Sequence, residues 1–183
     1  MQFGSDLVSR LEEAGKGLRR TKTIVGAALL AAVGLVLNQF TLTVSQFLEI
    51  GFSFLAAAAC AYLYGPWAAA MMGVVTDLAG YILRPNGAFF PGFTLNELLL
   101  GFLYGCWLYK KRVSLRRCFC ACLTAVLVFN LFLTPLWLHM MYGQTFVLSG
   151  MRLIKNAIKL PLDTFLMFSV LKLAERERGI FSL

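Results

Sequence analysis

The segment 152–163 carries charged and amide side chains at a spacing that places them on one face of a helix. Arg152, Lys155, Asn156, Lys159 and Asp163 follow i, i+3, i+4, i+7 and i+11, the period of an α-helical stripe. Lys159 and Asp163 stand one turn apart, close enough to neutralise each other. Arg152 and Lys155 have no acid four residues away on either side. Charge-assisted hydrogen bonding to an anion, such as a ligand carboxylate, is the chemistry they offer. The competing use is snorkelling to lipid headgroups, which leaves Asn156 and Lys159 unexplained on the same face. Gln39, Asp77, Asn96, Glu97, Asn130 and His139 are further polar side chains within or at the ends of apolar runs. Each such group costs a few kcal/mol in a bilayer, so each asks for a partner or a function.

The stretch 84–92 holds Arg84, two prolines, two glycines and the adjacent pair Phe89 and Phe90. Those rings suit either stacking on a flat heterocycle or anchoring at a membrane interface. Catalytic constellations are missing. There is no Gly-x-x-x-x-Gly-Lys-Ser/Thr phosphate loop, no His-Glu-x-x-His and no Gly-x-Ser-x-Gly, so neither ATP hydrolysis by that route nor those hydrolase chemistries is expected. Cys118, Cys120 and Cys122 alternate, which on a helix turns Cys120 away from the others, and no metal site or cofactor is expected.

The elements that must position these groups are membrane helices. The chain is 59% hydrophobic and 14% charged, against about 45–50% and about 25% in soluble domains, so lipid must be part of its solvent. Apolar runs cover about 23–40, 48–64, 66–83, 93–109, 118–142 and 151–173, lengths near the roughly 20 residues that a span needs. The expected fold is an all-α integral membrane protein, a compact bundle of six transmembrane helices. Residues 1–22 form a cytoplasmic or interfacial segment, 23–175 the membrane domain and 176–183 a tail. The net charge of +8 sits in the segments before the first run, between the fourth and fifth, and after the sixth. That pattern puts both termini in the cytoplasm and removes the case for a nucleic-acid partner. The polar side chains then gather in the outer half of the bundle, forming a cup open to the outside rather than a relay through it.

Residues 1–22 fit either an interfacial helix, with Phe3, Leu7, Leu11 and Leu18 roughly on one side, or a frayed tail. The first run contains two small-xxx-small pairs, Ala27/Ala31 and Ala28/Ala32, which suit close helix approach either within the bundle or to a partner. Gly101 and Gly105 are a weaker instance.

Across about residues 24–175 the chain resembles the substrate-binding S components of energy-coupling factor (ECF) vitamin transporters, specifically the folate-type group. The strongest element is Phe89-Phe90-Pro91-Gly92-Phe93-Thr94-Leu95, continuing through Leu100-Gly101-Phe102-Leu103-Tyr104-Gly105 to Tyr109-Lys110-Lys111. Ile50-Gly51-Phe52, Tyr64-Gly65-Pro66, Asp77 and Arg152-Leu153-Ile154-Lys155-Asn156 with Pro161 support it. Departures fall at Gln39, Glu49 and Ala56. The resemblance implies a non-enzymatic, high-affinity capture subunit for folate or a related pterin in a bacterial cell membrane. It implies as partners a transmembrane coupling subunit and two ATPases, docked through Ala27, Ala28, Ala31 and Ala32. Phe89 or Phe90 would sandwich the ring, Asp77, Asn96 or Glu97 bond its edge, and Arg84, Arg152 or Lys155 receive the carboxylates. The alternatives are a different vitamin, or a membrane enzyme acting on lipid.

Overall fold

A computed structural model describes residues 2–39, 42–45, 48–83, 89–142 and 150–180, with side chains over 9–39, 51–83, 89–137, 139–141 and 156–176. The chain runs α1 (Gln2–Gly17), α2 (Thr21–Gln39), β1 (Leu42–Ser45), β2 (Leu48–Ile50), α3 (Ser53–Tyr64), α4 (Pro66–Leu83), α5 (Pro91–Leu108), α6 (Leu115–Ala125), α7 (Thr134–Tyr142) and α8 (Gly150–Ile180). A π-helical segment, Val126–Leu133, joins α6 to α7 without a break in helical backbone.

Among the described residues the architecture is helical, as expected, with one short hairpin between α2 and α3. β1 and β2 pair antiparallel, Leu42 with Ile50 and Thr43 with Glu49, with an irregularity between Thr43 and Ser45. Thr43 and Val44 of β1 and Ile50 of β2 are β-branched and favour extended backbone. The second apolar run therefore begins as a strand, and its helix starts only at Ser53, after Gly51. Glu49 lies on the hairpin and not in a helix.

Small side chains make the centre. Ala56 to Ala61 of α3 are buried on every side, and Met167 and Leu171 of α8 are fully enclosed beside them. A run without bulk lets α2, α4, α5 and α8 crowd round one helix, as small residues do in lipid. The closest approach is α4 on α5. A Cβ on Gly101 would strike the Ala69 backbone, and one on Gly105 would strike Pro66. One on Gly73 would lie 2.5 Å from the Glu97 carbonyl. The small pair Gly101/Gly105 thus serves packing inside the chain.

At the Gly65-Pro66 turn, Gly65 adopts φ 96°, a backbone region open to glycine. A side chain there would also meet Ala14 at 2.9 Å. Ala14 is buried, and its helix α1 lies across this end of the bundle. Trp67 Nε1 donates to the Leu11 carbonyl at 3.2 Å, and Lys110 pairs with Glu13. Residues 2–17 are accordingly a docked helix. Phe3 and Leu7 have side chains outside the described residues, Leu18 packs against the core, and Ala14 is the contact that the apolar stripe omits.

Among the described residues, three helical stretches are long and apolar enough to cross a membrane: Thr21–Gln39, Pro66–Leu83 and Leu115–Met141. α5 and α8 carry Asn96, Glu97, Lys159 and Asp163 within their lengths, so polar side chains dilute their apolarity.

Candidate functional site

A cavity of about 400 Å³ opens between α3, α4, α5, the α6–α7 rod and α8. Asp77 comes from α4, Asn96 and Glu97 from α5, Asn130 and Thr134 from the rod, and Lys159 and Asp163 from α8. Phe54, Phe93, Leu100, Tyr104, Val126 and Phe129 supply apolar and aromatic wall. Concave sites with aromatic and apolar walls and convergent polar groups are the common form of a small-molecule site, and this one is more polar than most, with charged and amide side chains from four helices.

The rod reaches the cavity over an unusual length. Cys122, Ala125, Val126, Phe129, Asn130 and Thr134 all line it. In an unbroken α-helix, Cys122 and Thr134 would point about 120° apart. The wider i→i+5 turns of the π segment take more residues per revolution and return Thr134 to the same face.

The polar groups have defined states. Thr94 Oγ1 donates to Asp77 Oδ2 at 2.6 Å. Trp137 Nε1 donates to Asn96 Oδ1 at 3.0 Å. Lys159 Nζ lies 3.9 Å from Asp163 Oδ2, an ion pair too long for a hydrogen bond. Asp163 Oδ1 is buried with no hydrogen-bond partner among the described residues. Three carboxyls and one ammonium therefore face one space, which calls for a ligand that brings several N–H donors.

A second cavity of about 260 Å³ lies between α2, α3, α4 and α5, with Asn38, Ser53 and Thr76 in its wall. Asp77 and Glu97 belong to both cavities and form the partition between them.

Of the residues singled out in the sequence, Asp77, Asn96, Glu97 and Asn130 come together in the larger cavity, and so do Lys159 and Asp163 of the stripe. Phe90 packs above it on Trp137 and Phe93. Phe89 is half-exposed and packs on Tyr81 at 5.2 Å. Gln39 and His139 are exposed at the ends of α2 and α7, and neither lines the cavity. Asn156 is half-buried outside it. Arg152 and Lys155 lie in the first turns of α8, with side chains outside the described residues, and Arg84 lies outside them altogether. The four alanines of α2 divide: Ala31 is buried in the core and Ala27 packs against it, while Ala28 and Ala32 are exposed. A helix turns 100° per residue, so adjacent small-xxx-small pairs cannot share one face.

Sequence reading missed Thr94, Trp137, Phe54, Phe93 and Tyr104. Thr94 and Phe93 sit inside the motif that carried the resemblance, three or fewer residues from Asn96. Trp137 offered only the signal of an aromatic near a membrane edge.

Residues 22–171 match the family model for the substrate-specific component of ECF transporters. The chain belongs to that family. The ECF substrate-specific component is a transport subunit and not an enzyme. Two folate transporters named FolT are similar to this chain. The one from Clostridium novyi (strain NT) is 29% identical over 160 residues, covering 87% of this chain and 93% of its own. The one from Leuconostoc mesenteroides is 27% identical over 172 residues, covering 88% and 92%. A crystal structure of FolT bound with folic acid superposes with a TM-score of 0.73 at 36% identity, over 82% of this chain and 91% of that one.

Proposed function

We propose that this ECF substrate-specific component captures folate or a closely related pterin at the outer face of a bacterial membrane and delivers it through a coupling module. The observation that carries this reading is the cavity chemistry. Carboxylates from α4, α5 and α8 converge beside aromatic walls, suited to a flat heterocycle rich in N–H donors. The likeness to a folic-acid-bound FolT over most of both chains supports the same ligand.

The pteridine sits in the cavity, where its amino and ring N–H groups meet carboxylates, and the glutamate tail leads away from that negative surface. Arg152 and Lys155 on the opening turns of α8, with Arg84, receive the tail. Phe89 and Phe90 cover the entrance. Six helices, α2, α3, α4, α5, the α6–α7 rod and α8, span the bilayer with both termini cytoplasmic. The basic residues of 10–22, 110–117 and 172–178 then share the inner side. α1 rests at that surface. A transmembrane coupling subunit and two ATPases complete the importer. The exposed pair Ala28/Ala32 is the small-residue face offered to the coupling subunit.

The test is the small molecule that the detergent-purified chain retains. Mass spectrometry of material released on denaturation is expected to return a folate. Recovery of riboflavin, thiamine, biotin or pantothenate in its place would overturn the ligand assignment.

A further inference from the structure

The amide of Asn96 has its orientation imposed from behind. An indole N–H can only donate, so the oxygen is the amide atom that faces Trp137 Nε1 at 3.0 Å. Asn96 Nδ2 is turned the other way, and Asn96 lines the larger cavity. No acceptor for Nδ2 is found among the described residues. The tryptophan has a built seat. A Cβ on Gly92 would strike its ring at 2.8 Å, and Phe90 packs on it at 5.7 Å and 54°. The cavity wall therefore offers the acceptor oxygens of Asp77, held by Thr94, and the donor Nδ2 of Asn96.

One edge of a 2-amino-4-oxo pteridine presents the complementary series: the 2-amino and N3–H donors, then the 4-oxo acceptor. A 2,4-diamino pteridine ends that edge in a donor. Against Nδ2 it would set donor against donor, and an unpaired polar group in a closed site is costly.

We infer that Trp137 is a positioning residue that holds the Asn96 amide with Nδ2 toward the ligand and so makes the chain select 4-oxo over 4-amino pteridines. This rests on the folate reading above. Trp137 touches the amide and not the ligand, so its effect falls on selectivity rather than on affinity at large.

The test compares folic acid with aminopterin, which differ in the 4-substituent and in the hydrogen that the oxo form carries on N3, on the purified full chain and on Trp137→Phe and Asn96→Asp. The readout is the ratio of the aminopterin Kd to the folic acid Kd. Phenylalanine keeps the ring packing but frees the amide to turn, and the ratio is expected to fall about tenfold from its wild-type value. Asn96→Asp replaces the donor by acceptors and is expected to lower the ratio further, which covers the case in which Trp137→Phe does not fold. General loosening of the cavity would weaken both ligands and leave the ratio unmoved. Folic acid binding with an unchanged ratio in the folded variants would overturn the role of Trp137 alone. Failure of the wild-type chain to bind folic acid would overturn the folate reading and this assignment with it.

Discussion

At the residue scale, the site depends on contacts made behind its lining. Asp77 faces two cavities, and the Thr94 hydroxyl fixes one of its oxygens at 2.6 Å. Hydrogen bonds to charged groups contribute about 1.5–3 kcal/mol. Thr94→Val, which keeps the shape and removes the hydroxyl, is expected to weaken folic acid binding about tenfold, with Thr94→Ser near wild type. Titration of both variants checks this, and equal loss in the two would point to packing. Asp77, Asn96, Glu97 and Asn130 were legible in the sequence because amides and acids stand out in apolar runs, where each needs a reason to be there. Thr94 and Trp137 were not, because a hydroxyl and an indole are unremarkable near a membrane edge. What matters about Trp137 is a partner 41 residues away, and pairings across that distance have no local signature.

At the scale of elements, the helical order was legible from apolar runs and from the Gly65-Pro66 turn, while two departures from regularity were not. The hairpin took the first residues of the second run, since Leu48 and Ile50 fit an apolar run in either conformation. The π segment left no mark, because α and π turns draw on the same residue types. The α2 alanines show what packing adds: spacing alone proposes both pairs, and burial assigns Ala31 to the core and Ala28 and Ala32 to the surface. Ala28→Leu is expected to leave folic acid binding intact and to abolish uptake by cells expressing the coupling module. Ala31→Leu overpacks the core and is expected to cost about 1–3 kcal/mol of stability, read as a lower melting temperature. Docking of α1 has a pH signature. Lys110 donates to Glu13 and holds its carboxyl below the usual glutamate range. A depressed carboxyl contributes stability that is present above its unfolded pKa and lost as pH falls through its folded value. Protection of residues 9–17 from hydrogen exchange, corrected for the intrinsic exchange rate, should therefore fall modestly under acid, and Glu13→Gln should show that loss at neutral pH. The pair is exposed, so the effect is small.

At the scale of the whole molecule, charge is segregated along the bundle. Cations crowd the end where α1, the α5–α6 connection and the end of α8 meet, while the acids of the cavity sit away from it. On the reading proposed above, that asymmetry sets the orientation in the membrane and leaves the cavity to fill from the opposite side. The family assignment supplies the division of labour: this chain binds, and energy comes from elsewhere. The central claim is that the binding site is complete in one polypeptide and fits a folate. Calorimetry on the detergent-purified chain alone, titrated in turn with folic acid, riboflavin, thiamine, biotin and pantothenate, tests it most directly. Saturable heat of one-to-one binding with folic acid and none with the other four is the predicted result. Heat with another of these vitamins and none with folic acid, or no binding of folic acid until the coupling subunits are added, would contradict it.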